Sequence, residues 1–247
     1  MILKKPNVNK TWLPLIFVTA FEAGFSTAMA NAGEYRVPEE LLGNVANISG
    51  VPVATTQTAA TAASVSGVDL QDLARRFPNY STDTVLVVDT AAQPQTLRLV
   101  EHGSVTATWI ISTATNGIGA RKGSQQTPPG VHRIAQKIGD GVPLGTIFKA
   151  RQNSGQIAQI LTGAEQRSNA DNVTTRILWL DGLEPGVNKG GNVDSYQRYI
   201  YIHGTDEEGR LGKPASHGCI RMRNQDVIDL FERVPENTLV VILPTAA

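Results

Sequence analysis

Cysteine is nearly absent from this chain, because Cys219 is the only one among 247 residues. A single thiol has no partner for a disulfide within the chain, so its remaining roles are core packing, metal coordination or nucleophilic chemistry. An excess of one charge is also lacking, since 22 lysines and arginines balance 22 aspartates and glutamates. Such a chain has no electrostatic basis for binding nucleic acid or anionic lipid, and neither is predicted as a partner.

Long apolar runs are missing as well. The apolar stretch at residues 12–21 is interrupted by Pro14 and Thr19, follows three lysines and precedes the small residues Ala28 and Ala30. Ten residues at about 1.5 Å each reach only half of a bilayer core of about 30 Å, so the stretch is too short for a membrane span. The pattern predicts a signal peptide over residues 1–30 and export to the periplasm or cell-wall space, with an uncleaved N-terminal anchor as the alternative.

Charge is absent from residues 41–68, which are rich in alanine, threonine, valine, serine and glycine. Without charges or large apolar anchors, this composition is typical of a flexible linker. We therefore predict a low-complexity spacer over residues 31–81, interrupted by a short helix whose cap is Asp69. Nothing before residue 80 indicates chemistry, so the role of the spacer stays open.

Short β-branched runs begin at Thr84 and continue toward the end of the chain. They are separated by turn residues such as His102-Gly103. Together these patterns predict a mainly β domain over residues 82–244 with one or two short helices. The predicted elements are strands at 84–89, 96–100, 104–112, 131–134, 176–180, 198–202 and 238–243, a helix at 225–234 capped by Asn224, and a glycine-rich loop at 182–195 that borders the site.

His203 closes a run in which side chains alternate between two faces of a predicted strand. In an extended strand, Tyr201 and His203 point to the same face. Gly204 is expected to end the strand and to leave the histidine at its rim. The polar loop of residues 205–215 then leads back to the segment that contains Cys219, so the imidazole and the thiol are predicted to lie on adjacent elements.

A thiol and a nearby imidazole supply the parts of a nucleophilic site. A free thiol has a pKa of about 8.5 and is only slightly ionised at neutral pH, and an imidazole raises the ionised fraction by accepting the proton. Gly218 permits a tight turn that directs the amide N–H groups of Gly218 and Cys219 at a developing oxyanion. A backbone carbonyl would orient the His203 ring, since no aspartate or asparagine is evidently placed to do so.

Two other interpretations of the thiol stay open at this point. A lone cysteine is often a buried structural residue. A zinc site formed by His203, His217 and Cys219 is the competing chemical idea, but separations of fourteen and two residues match no common zinc pattern. A fourth protein ligand for zinc is not evident either.

Several short motifs are shared with one family of enzymes. They are His203-Gly204-Thr205, Ser216-His217-Gly218-Cys219-Ile220-Arg221 and the turn Thr127-Pro128-Pro129-Gly130. Over residues 82–244 the chain resembles the L,D-transpeptidase catalytic domain, the YkuD-like family. The resemblance implies a β-sandwich with a catalytic cleft, and it calls for no metal or organic cofactor. His132 departs from the family, which more often has an aromatic residue after this turn, and it predicts an altered rim there.

The resemblance also implies roles for individual residues. Cys219 would be the nucleophile and His203 its general base. Arg221 would hold either the loop or a substrate carboxylate. The remaining implied site residues are Gly218, His217 and Ser216 around the oxyanion and its loop, and Tyr201 and Gly204 at the substrate.

The implied reaction is acyl transfer on peptidoglycan stem peptides. The Cys219 thiolate takes the stem from a tetrapeptide with loss of its terminal D-Ala, and an amine resolves the thioester. That amine belongs to a second stem, which gives a 3→3 cross-link, or to an outer-membrane lipoprotein. Water as the acceptor would make the protein an L,D-carboxypeptidase or a stem-peptide hydrolase. A catalytically inactive wall-binding module is the alternative from a different class.

Overall fold

The β-branched and apolar segments form twelve strands and two α-helices in the part of the chain that a computed structural model describes, residues 64–244. These residues fall within one compact unit of the chain, Gln57–Ala247. The predicted signal peptide and residues 31–63 of the predicted spacer lie outside the described residues. The strands are β1 (Ser64–Val65), β2 (Val68–Asp69), β3 (Thr84–Asp89), β4 (Thr96–Glu101), β5 (Ser104–Ser112), β6 (Gly130–Ile138), β7 (Thr146–Lys149), β8 (Gln152–Ile157), β9 (Val173–Gly182), β10 (Tyr201–Thr205), β11 (Ile220–Met222) and β12 (Leu239–Ile242), and the helices are α1 (Leu70–Arg76) and α2 (Asn224–Arg233).

Ten strands belong to one sheet, in which neighbours follow the order β10-β11-β5-β4-β3-β12-β6-β9-β7-β8. Because β9 also pairs with β10, eight of these strands close into a ring, and β7 and β8 extend the sheet beyond it. Closure leaves those eight strands without a free edge. The prediction of a mainly β fold with one or two short helices is confirmed. Among the described residues, neither helix is long and apolar enough to cross a membrane.

The inner face of the ring and helix α2 together form the main core. Leu86, Leu178 and Ile220 are fully buried there, and Leu230 of α2 joins them. Burying each such side chain contributes roughly 1.5–3 kcal/mol to stability. A second cluster on the opposite face of β3, β6 and β12 receives Leu73 of α1, so packed structure begins upstream of the domain boundary predicted at residue 82.

The two helices begin in different ways. The Asp69 side chain accepts hydrogen bonds from the amides of Gln71 and Asp72, at 2.9 and 3.0 Å, so the predicted cap of α1 is confirmed. The predicted cap of α2 is wrong, because Asn224 is the first helical residue and its side-chain amide donates to the Thr205 carbonyl at 2.7 Å. The Asn224 side chain, which the sequence pattern assigned to capping, is therefore used in a tertiary contact with β10.

The predicted hairpin turn between β4 and β5 is confirmed. His102 and Gly103 both have left-handed φ values, 49° and 76°, and Glu101 pairs with Ser104 across the turn. A two-residue turn of this kind matches the right-handed twist of the strands that it connects.

The sequence pattern predicts that this strand begins at residue 198, but β10 begins at Tyr201. The reason is Tyr199, whose φ of 58° is left-handed and turns the chain before the strand begins. His203 consequently lies inside β10, only 2% exposed, so its predicted place at a strand rim is wrong. The pattern also misses β7, β8 and β11, of which β8 is mostly polar and β11 has only three residues.

His132 is fully buried in β6, so the prediction that it alters a rim is wrong. Its Nδ1–H donates to the Gly130 carbonyl at 3.0 Å, and its Nε2 accepts from the Ser195 hydroxyl at 3.0 Å. The glycine-rich segment 182–195 covers the imidazole ring of His132 through Ser195. The Asn188 side chain of the same segment donates to the Pro129 carbonyl in the turn before β6. Burial lowers the pKa of His132 to about 4, so the ring is neutral in the folded protein.

Because His132 is buried and neutral, we expect the free energy of unfolding to fall in acid. A histidine in the unfolded chain has a pKa of about 6.5, so between pH 6.5 and 4 the unfolded chain binds a proton that folded His132 does not. The contribution of His132 to the free energy of unfolding is complete above pH 6.5. It declines as the pH falls toward 4, by up to about 3 kcal/mol.

Urea unfolding measured between pH 7 and pH 4.5 should therefore give a free energy of unfolding that falls with pH. The variant His132→Gln has no titrating ring, so it should show a weaker dependence on pH even where its stability at pH 7 is lower. The same slope in the variant and the parent protein would contradict this assignment.

Candidate active site

The site is built where β10 and β11 run side by side. The two strands pair in parallel, with Ile202 opposite Ile220 and His203 opposite Arg221. Since side chains alternate along each strand, the two isoleucines enter the core and the histidine and arginine share the other face. Cys219 immediately precedes β11 and lies on that same face, two positions from Arg221. The structure therefore brings the imidazole and the thiol to one face of neighbouring strands.

The backbone segment that leads into β10 holds the Cys219 thiol. The sulfur accepts a hydrogen bond from the Tyr201 amide and donates one to the Tyr199 carbonyl, both at 3.4 Å. Among the described residues, no hydrogen bond joins the sulfur to His203. Contacts between a nucleophile and its base are often long before substrate binds, and they shorten in the complex.

The imidazole of His203 has a defined tautomer. Its Nδ1–H donates to the Gly204 carbonyl at 2.7 Å, which leaves Nε2 without a proton and able to accept one. Burial lowers the pKa of His203 to about 4, and it outweighs the nearby Asp171 carboxylate, which acts in the opposite direction. The ring is therefore neutral at pH 7, and a backbone carbonyl orients it where a carboxylate does in other triads.

The thiol is also neutral in this arrangement. Burial raises the pKa of Cys219 to about 12, and it outweighs the hydrogen bond from the Tyr201 amide, which favours the thiolate. The Asp171 charge adds to the increase, whereas Arg221 and Arg198 oppose it. Because both groups are neutral, the site does not hold a preformed thiolate–imidazolium pair. A neutral thiol acts as a nucleophile only if its proton leaves as the sulfur attacks.

A hydroxyl and a glycine fix the loop before Cys219. The Ser216 hydroxyl donates to the Cys219 carbonyl at 2.6 Å and accepts from the Gly218 amide at 3.2 Å. Gly218 has a φ of 132°, which disfavours any residue with a Cβ atom. Thr127, from the Thr-Pro-Pro-Gly turn, donates to the Gly218 carbonyl at 3.0 Å. Ser216 and the turn motif therefore both act by holding this loop.

The Gly218 amide is not free to serve as the oxyanion donor that the sequence suggested, because it already donates to the Ser216 hydroxyl. The amides of His217 and Cys219 have no acceptor among the described residues. These two N–H groups are therefore the backbone donors of the loop that remain available to a bound group.

Arg221 holds the loop through buried ion pairs. Its side chain is 3% exposed and bonds Glu207 at 2.9 Å and Asp171 at 2.5 Å. Asp171 in turn accepts from Nδ1 of His217 at 2.7 Å, while the His217 side chain remains 63% exposed. Of the two roles that the resemblance implies for Arg221, the structure supports the loop-holding one, since a buried guanidinium needs the carboxylates that it has.

Sequence patterns do not reveal Asp171 as part of the site. Burial alone would raise the pKa of its carboxyl group, but Arg221 and His217 hold that pKa below its ordinary range, so the carboxylate stays charged. Asp171 lies 46 residues from His217 along the chain, and no spacing rule connects a polar loop to a motif that distant. The one available signal is an arginine in the motif, because it needs acidic partners when buried.

Gly204 and Tyr201 are both buried, which does not fit the substrate-binding roles that the resemblance implies for them. Gly204 is buried on the inner face of β10, where an added Cβ would lie 2.6 Å from Oδ1 of Asn224. Its contribution is close packing and the carbonyl that orients His203, and not a substrate contact. Tyr201 is buried against Trp179, with the two rings edge to face and their centroids 5.6 Å apart.

A depression beside Asp171 and His217 offers space for a bound molecule. It has a volume of about 340 Å³ and is lined in part by Thr115, Ser168 and Arg221. Within the described part of the chain, no group of three or more histidine, cysteine, aspartate or glutamate side chains is arranged to hold a metal ion.

The geometry defines a class of site, in which an unprotonated imidazole nitrogen and a thiol share one face of a β domain beside two amides without acceptors. A family model described as the L,D-transpeptidase catalytic domain, YkuD, matches residues 83–242. That match covers more than half of the chain. The chain therefore belongs to the L,D-transpeptidase catalytic domain family.

Curated relatives resemble the chain over shorter segments. YkuD of Bacillus licheniformis, which is named as an L,D-transpeptidase, is 42% identical over 62 residues, or 23% of this chain and 38% of that protein. YbiS of Escherichia coli, also named as an L,D-transpeptidase, is 49% identical over 43 residues, or 17% of this chain and 14% of that protein. The matched segments thus span well under half the length of these relatives.

Similar solved structures include an L,D-transpeptidase from Mycobacterium smegmatis. It has a TM-score of 0.37 and 17% sequence identity, and the match covers 65% of this chain and 58% of that chain. L,D-transpeptidase 3 from Mycobacterium tuberculosis, in complex with a faropenem-derived adduct, has a TM-score of 0.40 and 13% identity, with 65% of this chain and 60% of that chain covered.

The raised pKa of Cys219 predicts slow alkylation of the folded protein. Compared with an unfolded cysteine, a pKa of about 12 lowers the thiolate fraction roughly a thousandfold, while the greater intrinsic nucleophilicity restores roughly a factor of thirty. Iodoacetamide should therefore react roughly thirtyfold more slowly with the folded protein than with the urea-unfolded chain at pH 8.

The rate on the folded protein should also keep rising with pH up to at least pH 10. Because Cys219 is the only cysteine, the mass of the whole protein reports its alkylation directly. A rate that levels off below pH 9 would mean that the thiol ionises far more easily than its burial implies.

Proposed function

We propose that this protein is an exported L,D-transpeptidase that acts on peptidoglycan stem peptides through a thioester on Cys219. The observation that carries the proposal is the His203 ring, which a backbone carbonyl holds with Nε2 unprotonated on the same face as the thiol. The names of the relatives support the reaction class. The signal peptide predicted over residues 1–30 supports export to the periplasm or cell-wall space, where stem peptides are found.

The first half-reaction transfers the stem to the enzyme. The Cys219 sulfur attacks the carbonyl carbon that joins the diamino acid to the terminal D-Ala, and the thiol proton moves to Nε2 of His203 as the C–S bond forms. The imidazolium then gives this proton to the amide nitrogen as the C–N bond breaks and D-Ala leaves. Since thiol and imidazole are both neutral at the start, proton transfer accompanies the attack.

The tetrahedral intermediate carries a negative oxygen, and the loop before the nucleophile supplies donors for it. The unbonded amides of His217 and Cys219 are suited to this, and one such donor is worth about 3 kcal/mol of barrier. Arg221 and Asp171 act indirectly. Arg221 binds Asp171, Asp171 binds the His217 side chain, and these contacts hold the turn of the main chain that carries the two amides.

The second half-reaction releases the stem to an acceptor. An amine nitrogen attacks the thioester carbonyl, His203 removes the proton from that nitrogen, and the same proton returns to the sulfur as the C–S bond breaks. The amine of a second stem gives a 3→3 cross-link, and a lysine of an outer-membrane lipoprotein gives a protein attachment. Water in the same position gives a tripeptide, which is the carboxypeptidase reaction.

Replacement of the nucleophile tests the thioester. With a tetrapeptide donor or a carbapenem, the parent protein should gain the mass of the acyl group, and Cys219→Ala should gain none. His203→Gln should form the same adduct at least a hundredfold more slowly, because general-base catalysis typically contributes 10²–10⁴-fold. Thermal unfolding of each variant checks that it is folded. An unchanged adduct in Cys219→Ala would overturn the assignment.

Product analysis tests the acceptor. Purified muropeptides incubated with the protein should yield 3→3 dimers, which chromatography and mass spectrometry separate from tripeptides. Tripeptides without dimers would identify the carboxypeptidase reaction instead, with the same thioester. Binding to cell walls without any turnover would favour an inactive binding module.

A further inference from the structure

Arg151 stands over the aromatic side chains that flank the thiol. It lies at the turn between β7 and β8, where Ala150 and Arg151 have left-handed φ values of 48° and 69°. The Arg151 guanidinium is 4.7 Å from the ring centroid of Trp179 and 4.9 Å from that of Tyr199. It also donates to the Tyr201 hydroxyl at 3.3 Å. These three contacts fix the orientation of a long cationic side chain.

The same two tyrosines contact the nucleophile through their backbones. The Tyr201 amide donates to the Cys219 sulfur, and the Tyr199 carbonyl accepts from it, both at 3.4 Å. Trp179, Tyr199 and Tyr201 therefore form an aromatic platform with the thiol at its backbone side and Arg151 on its rings. The Tyr199 side chain is 52% exposed, so solvent and ligands reach this platform.

Arg151 differs from the other arginines around the site in having, among the described residues, neither an acidic partner nor a backbone carbonyl as acceptor. The Arg221 guanidinium bonds two carboxylates, and that of Arg210 bonds Glu207. Arg198 donates to three backbone carbonyls. Within residues 64–244, Arg151 makes no ion pair, and only one hydrogen bond uses its five N–H donors. The platform therefore presents a cation whose charge is not compensated by the described chain.

We propose that Arg151 binds a carboxylate of the donor stem peptide and selects donors that carry it. This inference rests on the proposed function. A tetrapeptide donor ends in a free carboxylate one residue beyond the bond that is cleaved, and a diaminopimelate residue carries a second carboxylate on its side chain. A planar guanidinium can donate two hydrogen bonds to either carboxylate, and stacking on the platform restricts the orientations of the Arg151 side chain.

Three donors separate the two carboxylates. The first is a tetrapeptide with diaminopimelate and a free terminal D-Ala, the second has a terminal carboxamide, and the third has lysine in place of diaminopimelate. Arg151→Gln should raise KM for the first donor about tenfold or more, as loss of a charge-assisted contact does, with little change in kcat. The donor on which this effect disappears identifies the carboxylate that Arg151 binds.

Matched variants control for charge and for the fold. Lys149→Gln removes one positive charge from an exposed side chain of the same hairpin, and it should leave KM unchanged for all three donors. Arg151→Lys keeps the charge but loses the planar fork, so its KM should be intermediate. Iodoacetamide reactivity of Cys219 should be the same in all of these variants, because none of them removes a group that bonds the sulfur.

Binding without turnover provides a second measurement. In the Cys219→Ala background, calorimetry with the first donor should give a Kd about tenfold weaker when Arg151→Gln is added. Equal losses on all three donors, or an unchanged Kd, would overturn the role of Arg151. A parent protein that binds these stems but forms no acyl adduct would refute the proposed function alone, since the Kd comparison would still report on Arg151.

Discussion

A buried guanidinium needs carboxylate partners, and Arg221 takes two of them in this protein. Its backbone lies opposite His203 in the parallel strand pair, while its side chain bonds Glu207 and Asp171. Through these contacts the strand after Cys219 is tied to the segment that follows β10 and to the loop that precedes β9. Removing one carboxylate would leave part of a buried charge without a partner, so the three segments depend on one another.

Burial of the site also determines the protonation states of Cys219 and His203. Burial raises the pKa of Cys219 and lowers that of His203, so the pair rests as thiol and imidazole. A neutral thiol is the form of cysteine that oxidises least readily, which suits the proposed oxidising compartment outside the cytoplasm. In the proposed mechanism, the sulfur becomes a strong nucleophile only when a substrate carbonyl is present for it to attack, and Nε2 of His203 is already free to take the proton.

Helix α2 supports the site from the core side. Asn224, its first residue, donates to the Thr205 carbonyl at 2.7 Å, and its Oδ1 accepts from Thr174 at 2.7 Å. The helix thereby connects β10 to β9 directly behind His203. This contact leaves no space for a side chain at residue 204, so the glycine there is required by packing. Core and site are thus joined by a few short polar contacts, and these contacts override the capping role that local sequence rules assign to Asn224.

The sequence by itself determined the placement of Cys219 and His203 on adjacent elements, the cap at Asp69 and the mainly β character of the domain. These features follow from residue chemistry and from spacing over a few positions, which a linear pattern records. Only the tertiary structure decided where β10 begins, because the left-handed turn at Tyr199 is not encoded by side-chain alternation. It likewise decided that Asp171 joins the site, because a contact across 46 residues depends on how strands and loops pack and not on local order.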